Sequence, residues 1–198
     1  MNNRSASFYR KTGETEVSIQ INLDGMGKSD IVTGNGMLDH LISQIARHGL
    51  IDIEIKALGD LHTGWHHTVE DVGIGFGRAL REALGENEGI TRMGHALVPL
   101  DEALARVAID ISGRGYASIE TNFTTDRVED LPGDLVRHFL ETIAVESKTT
   151  LHVAVLSGIN DHHIAEAIFK AFAKALSDAV RFDPRRNGEV PSTKGTLQ

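Results

Sequence analysis

The sequence predicts an α+β fold that is internally duplicated, with two pseudo-symmetric halves, and repeated patterns carry this prediction. The dipeptide His-His occurs twice, as His66-His67 and His162-His163, and each time a Glu stands four residues after the first His. His66 and His162 lie 96 positions apart, close to half of the 198 residues. An amphipathic helical pattern and a strand-like run precede each pair. Two copies are too few for a solenoid, so we expect a pseudo-twofold pair packed together.

The first half reads as strand, helix, strand and helix. Residues 17–23 alternate between apolar and polar side chains, which is typical of a half-buried strand. The spacing predicts a helix over residues 37–47 with Gly49 as its C-cap. A strand over residues 51–55 follows, and a loop leads to a second helix that carries the first His-His pair and ends at Gly85.

The second half repeats this order. Residues 97–104 are ambiguous between helix and strand, whereas residues 106–111 and 116–123 are predicted strands. A helix carrying His138 follows, then a strand, and a last helix over about residues 162–180 is rich in strong helix formers. Each half is thus a βαβα unit with an additional strand or strands at its front.

We place the first half at residues 1–88, the second at 89–187 and a polar tail at 188–198. The composition, with 40% hydrophobic residues, suits a globular core. The chain has no cysteine, which excludes disulfides and thiolate metal sites. A formal net charge of −8 argues against nucleic-acid binding, and no apolar run has the length of a membrane span. We therefore expect a cytoplasmic protein without nucleic-acid or membrane partners.

The repeated His and Glu residues are candidate metal ligands. Residues four apart share a helix face, so His66 and Glu70 point the same way, as do His162 and Glu166. The second His of each pair lies about 100° further around the axis and can serve a neighbouring site. One further His in each half completes two sites of three imidazoles and one carboxylate, which suit Mn, Fe, Co, Ni or Zn. The eight candidates are His40, His66, His67, Glu70, His138, His162, His163 and Glu166.

These residues alone leave several functions open. Adjacent metal ions also suit a hydrolase that acts on phosphate esters or amides, because they activate water. A non-enzymatic metal-binding or storage protein is the other alternative. Detection of turnover separates an enzyme from a storage protein, and the identity of the product separates the enzymes.

Five motifs in order resemble those of the imidazoleglycerol-phosphate dehydratase family of histidine biosynthesis, and they span nearly the whole chain. They are Leu38-Asp39-His40 with Gln44 and His48-Gly49, then His66-His67-Thr68-Val69-Glu70-Asp71, then Pro99-Leu100-Asp101-Glu102-Ala103, then Asn160-Asp161-His162-His163 with Glu166-Ala167 and Phe169-Lys170, and finally Asp183-Pro184-Arg185-Arg186 with Pro191-Ser192-Thr193-Lys194-Gly195.

The resemblance implies a four-stranded sheet and two helices in each half. It implies a hydro-lyase that converts imidazole glycerol phosphate to imidazole acetol phosphate with two Mn²⁺ per subunit, although other divalent transition metals are possible. It also implies a homo-oligomer of 24 subunits with active sites between subunits. Glu14 is the implied acid/base residue. The implied substrate contacts are Glu14, Gln44, His48, Arg92, Arg114, Lys170, Ser192 and Lys194.

One position departs from the family pattern. Members usually carry an acidic residue two places before the first His-His pair, and this chain has Gly64 there. None of the eight candidate ligands is affected, so we expect metal binding to persist. The departure concerns only the supporting role in metal affinity or rate that the resemblance implies for that acid.

Overall fold

The fold consists of two hairpins, each followed by an edge strand, a helix, a further strand and a second helix. We describe it from a computed structural model of residues 4–197. Its helices and main strands are β1 (Ser5–Lys11), β2 (Thr15–Asn22), β3 (Ser29–Val32), α1 (Gly36–Gly49), β4 (Asp52–Gly59), α2 (His66–Leu84), β5 (Met93–Leu100), β6 (Ala103–Asp110), β7 (Tyr116–Glu120), β8 (Arg127–Val128), β9 (Leu131–Pro132), α3 (Gly133–Glu146), β10 (Thr150–Ser157) and α4 (Asp161–Val180). Single 3₁₀ turns span Leu61–Thr63 and Pro184–Arg186.

The two halves form sheets of the same design. The first sheet has the order β1-β2-β4-β3 and the second has β5-β6-β10-β7. In each sheet three strands are antiparallel, and the last strand, β3 or β7, runs parallel to its neighbour. β8 and β9 form a separate small ribbon before α3. This confirms the predicted α+β fold with two pseudo-symmetric halves, each a four-stranded sheet with two helices.

The helices lie between the two sheets and pair across the halves. α1 and α2 pack on the first sheet, α3 and α4 pack on the second, and α1 contacts α4 while α2 contacts α3. Phe139 is stacked on Phe169, with ring centroids 5.9 Å apart, and meets the edge of Phe76 at 6.4 Å. These three rings are fully buried and join α2, α3 and α4 in one core. Each helix pair therefore brings together residues from both halves of the sequence.

Two details of the sequence prediction change. The ambiguous segment 97–104 is a hairpin between β5 and β6, in which Asp101 takes a positive φ of 47°. The predicted C-cap was wrong by one residue, because Gly49 is still helical and Leu50 is the left-handed residue, with φ 56°. A Cβ on Gly49 would lie 3.3 Å from the carbonyl oxygen of Ala173, so glycine serves here for close packing of α1 on α4.

Candidate metal centre

One ligand cluster lies where the first turns of α1 and α4 meet. His40 Nε2 is 3.0 Å and His162 Nε2 is 3.3 Å from the same oxygen of Glu166. Candidate ligand atoms of all three side chains lie within 4.8 Å of one another. Parallel packing of α1 and α4 creates this cluster, since His40 comes from the first half and the other two residues come from the second.

The Glu166 carboxylate is held in its charged form. Its other oxygen lies 2.6 Å from Lys170 Nζ, one helical turn further along α4. Burial raises the pKa of Glu166, but hydrogen bonds from Lys170 and His40 outweigh burial and lower it to about 2. Glu166 is therefore an anion at neutral pH, which is the state that binds a cation.

A matching cluster lies between α2 and α3. It consists of His66, Glu70 and His138, again with candidate ligand atoms within 4.8 Å. The rings of His66 and His138 are stacked with centroids 4.9 Å apart, and His138 Nε2 is 3.8 Å from Glu70. Gly77 permits this approach of the helices, because a Cβ there would lie 2.6 Å from the Cβ of Glu146.

His138 Nε2 gives a direct test of whether this cluster fits a metal. The atom is buried and has no hydrogen-bond partner among residues 4–197. A buried polar atom without a partner costs about 1–3 kcal/mol, and a metal ion bound by Nε2 removes that cost. Two imidazoles and a carboxylate without sulfur match divalent transition metals of borderline softness. The residues present therefore fit a metal ion.

The second His of each pair faces away from these clusters. His67 Nδ1 lies 3.0 Å from Asp60, and His163 Nδ1 lies 2.8 Å from Glu102. Each ring is nearly perpendicular to that of the preceding His, as expected for consecutive helical residues. Within one chain, each cluster thus contains two imidazoles and one carboxylate, and the third imidazole is directed elsewhere.

Glu14, Asp60 and His67 form a third group. Glu14 Oε2 is 3.8 Å from His67 Nδ1, and candidate ligand atoms of the three residues lie within 4.8 Å of one another. The hydrogen bond with Asp60 raises the pKa of His67, and the bond with Glu102 likewise raises the pKa of His163. The exposed side chain of Glu14, at 60% of its full accessibility, leaves it free to reach a ligand.

The predicted substrate contacts other than Glu14 lie in two separate places. Gln44 and His48 follow His40 at successive turns of α1 and share its face. Lys170 and Lys174 of α4 lie near His48. Burial is the main cause that lowers the pKa of His48, and the positive charges of these lysines lower it further. Gln44, His48 and Lys170 therefore continue from one metal cluster along the α1–α4 contact.

The other predicted contacts lie at the far end of α4. The backbone N–H of Arg92 donates to the carbonyl of Ala179, and its guanidinium binds Asp110 at 2.7 Å and the Pro191 carbonyl at 2.9 Å. The 17 steps along the helix from His162 to Ala179 span about 26 Å at 1.5 Å per residue. Arg114, Ser192 and Lys194 lie at the same end, because Ile111, three residues before Arg114, donates its backbone N–H to the Arg92 carbonyl and Pro191 directly precedes Ser192.

Three polar residues of the site were absent from the sequence prediction. Asp60 and Glu102 bind the outward-facing histidines, and Glu129 lies 3.3 Å from His162 Nδ1. Glu102 lies within one of the family motifs. Like Glu14, it directly precedes a strand, and this shared position could have indicated Glu102 as a site residue. Asp60 and Glu129 have no such counterpart in the pattern.

Comparison with known proteins decides the family. The model of the family described as "Imidazoleglycerol-phosphate dehydratase" matches residues 33–176. The enzyme of that name from Dehalococcoides mccartyi (strain CBDB1) is 53% identical over 198 residues, covering all of both chains. The Synechococcus elongatus enzyme is 54% identical over 194 residues, which are 98% of this chain and 93% of that protein. The chain belongs to the imidazoleglycerol-phosphate dehydratase family.

Solved dehydratase structures agree with this membership. The Staphylococcus aureus enzyme has a TM-score of 0.82 at 34% identity, covering 90% of this chain and 99% of that one. The Pyrococcus furiosus enzyme has a TM-score of 0.82 at 38% identity, covering 96% and 100%. The predicted family and enzyme class, a hydro-lyase of histidine biosynthesis, are therefore confirmed. No helix between residues 4 and 197 combines the length and apolar character of a membrane span.

Gly64 offers a test of the dehydratase loop that precedes α2. Its φ of 91° and ψ of −159° lie in a region that is essentially restricted to glycine. We expect Gly64→Asp to lower the free energy of unfolding by about 1–3 kcal/mol through backbone strain. We expect its Mn²⁺ affinity to stay unchanged, because Asp60 already binds His67 Nδ1. Thermal unfolding and Mn²⁺ titration measure the two effects.

Gly64→Ala is the matched control, since it carries the same strain without a carboxylate. Tighter Mn²⁺ binding in the Asp variant than in the Ala variant would show that an acid at this position supports the metal site.

Proposed function

We propose that this protein dehydrates imidazole glycerol phosphate to imidazole acetol phosphate at a site that uses two Mn²⁺ ions per subunit. The observation that carries the proposal is a pair of equivalent clusters, each with two His and one Glu that come from both halves of the chain. Family membership supports the substrate and the reaction. The proposed ligands are His40, His66, His67, Glu70, His138, His162, His163 and Glu166.

The reaction removes a hydroxyl group from the carbon next to the imidazole ring and a proton from the neighbouring carbon. The enol that results tautomerises to the ketone product. Bound metal ions would supply Lewis-acid stabilisation of charge on the substrate imidazole and would orient it. Glu14 is the proposed acid/base residue: its carboxylate takes up a proton from carbon and delivers one to the departing hydroxyl. A general acid/base needs a mobile, accessible carboxylate, and Glu14 is the exposed member of the group with His67 and Asp60.

The proposed contacts to the rest of the substrate are Gln44, His48, Arg92, Arg114, Lys170, Ser192 and Lys194. Arg and Lys supply charge-assisted hydrogen bonds to phosphate, and Ser192 adds a hydroxyl donor. Ser192 and Lys194 lie in one turn, in which the backbone N–H of Lys194 donates to Ser192 Oγ at 3.2 Å.

Lys194→Ala tests the phosphate contact. We expect KM to rise about 10- to 100-fold, because a hydrogen bond to a charged group contributes about 1.5–3 kcal/mol. Both kcat and Mn²⁺ affinity should stay near the wild-type values, since Lys194 lies at the end of the molecule remote from the metal clusters. Steady-state kinetics with Lys28→Ala, another exposed lysine, as control measures the change. An unaltered KM would remove Lys194 from the phosphate site.

Deletion of the tail from Gly188 onward should also raise KM sharply, but it is a less specific test. Leu197 is buried, with 8% of its surface exposed, so its loss also uncovers apolar surface. The point variant is therefore the primary experiment.

We further propose that the active site forms between subunits of a homo-oligomer of 24 copies. Two features support this. In one chain the metal cluster beside His162 and the phosphate donors beside Arg92 are separated by about 26 Å of helix, which is far longer than the substrate. His67 and His163 also face away from their own clusters, as ligands supplied to another subunit would. A homo-oligomer in which each copy contributes one part satisfies both features.

The division into residues 1–88, 89–187 and 188–198 remains our proposal for the organisation of the chain, and cytoplasm is the proposed location.

The decisive experiment is turnover of imidazole glycerol phosphate by protein that is stripped of metal and then titrated with Mn²⁺. Activity that rises as about two ions bind per chain supports the proposal. If two ions bind but no turnover is detected, the proposed metal site stands and the proposed substrate is wrong.

A further inference from the structure

The two halves use equivalent carboxylates differently. Glu14 stands directly before β2 and Glu102 stands directly before β6, and β2 and β6 occupy the same place in their sheets. Glu102 binds His163 Nδ1 at 2.8 Å, whereas Glu14 stays 3.8 Å from His67. In the first half, the carboxylate that binds His67 is Asp60, at 3.0 Å.

The second half has no counterpart of Asp60. Asp60 follows the last residue of β4, and the matching residue after β10 is Gly158, followed by Ile159 and Asn160. A Cβ on Gly158 would lie 2.5 Å from Cγ1 of Ile164, so no side chain fits there. Only the carboxylate before β6 is left to bind the histidine.

Glu102 is also fixed more firmly than Glu14. One of its oxygens accepts the backbone N–H groups of Ile159 and Asn160 at 3.2 and 2.9 Å, and the other accepts Nδ1–H of His163. The bond with His163 first, and then the bond from Asn160, lowers the pKa of Glu102 to about 2. An imidazole whose Nδ1–H is donated to a carboxylate presents Nε2 as the lone-pair nitrogen.

We propose that Glu102 is a positioning residue that fixes the tautomer and direction of His163, as Asp60 does for His67. This rests on the proposed function, in which both histidines bind metal; with Nδ1 held by a carboxylate, Nε2 is the nitrogen left to do so. The equivalent carboxylates Glu14 and Glu102 therefore have different roles in the two halves. Because Asp60 orients His67, Glu14 is free for proton transfer; because no side chain fits at Gly158, Glu102 is committed to orienting His163.

The test uses Mn²⁺ affinity, which is measured from the electron paramagnetic resonance signal of unbound Mn²⁺. In Glu102→Gln the amide oxygen can keep the backbone N–H groups, and the NH₂ group then faces His163 Nδ1. That contact favours the tautomer with the proton on Nε2, and a protonated Nε2 has no lone pair for a metal ion. We expect affinity to fall about 10- to 100-fold, the typical effect of losing the partner of a metal-binding His. Asp60→Asn should act similarly through His67.

Glu14→Gln is the matched control at the equivalent position, and it should leave Mn²⁺ affinity unchanged. A double variant separates orientation from loop support: adding Glu102→Gln to His163→Ala should lower affinity no further. Wild-type affinity in Glu102→Gln, or an equal further loss in the double variant, would overturn the proposal. Unchanged affinity in His163→Ala would overturn it together with that ligand, while the turnover of the wild-type protein reports separately on the proposed function.

Discussion

Replacement of Glu14 by Gln is expected to lower kcat by about 10²–10⁴, the usual contribution of a general acid/base, without loss of bound Mn²⁺. Gln has nearly the same shape as Glu, but it cannot take up and release a proton in the same pH range. The Glu14 side chain is exposed and lies 3.8 Å from His67 Nδ1, while Asp60 makes the shorter contact to that ring. The substitution therefore removes proton transfer and leaves His67 in its orientation.

Steady-state kinetics and Mn²⁺ titration of the same preparation check this result. Glu16→Gln is a suitable control, because Glu16 is a neighbouring carboxylate that binds Tyr9 and Lys11 on the surface. Normal turnover in Glu14→Gln would remove the acid/base role. Loss of metal together with turnover would instead make Glu14 a ligand, in line with its group with Asp60 and His67.

The repeat made much of the fold predictable, because a period of 96 to 98 residues covers helix, strand and loop in each half. Helical spacing also predicted that His66 shares a face with Glu70, and that His162 shares one with Glu166. Close packing between helices was not predictable in the same way. Gly49 looked like a C-cap from its local pattern, whereas its neighbour Ala173 lies more than a hundred residues away in the chain.

The sequence pattern also could not predict which residues from the other half complete each metal cluster. Nothing local indicates that His40 meets Glu166, or that His138 meets Glu70, since these contacts depend on how the helices of the two halves pair. Glu102 reaches His163 across 61 residues of sequence. Spacing along one helix thus predicts which residues share a face, and tertiary packing decides what that face meets.

Co-assembly of two defective chains should raise kcat/KM well above that of either chain alone. His162→Ala removes a metal ligand but keeps the tail, and Ser192→Ala with Lys194→Ala removes phosphate donors but keeps the metal cluster. If one subunit supplies the cluster and another the tail, random one-to-one mixing in a symmetric oligomer gives about a quarter of sites both intact parts. We therefore expect kcat/KM of the mixed oligomer to approach about a quarter of the wild-type value.

The measurement requires co-expression of the two variants with different tags and purification on both, so that only mixed oligomers are assayed. Mixed oligomers of wild-type chains that carry the two tags give the reference activity. If the whole site lay within one chain, every site of the mixed oligomer would keep one defect, and kcat/KM would be no higher than the mean of the two parents. The separation of about 26 Å along α4 makes that outcome incompatible with a substrate of one ring and a three-carbon phosphate. Recovery on mixing therefore tests the subunit arrangement independently of which metal is bound.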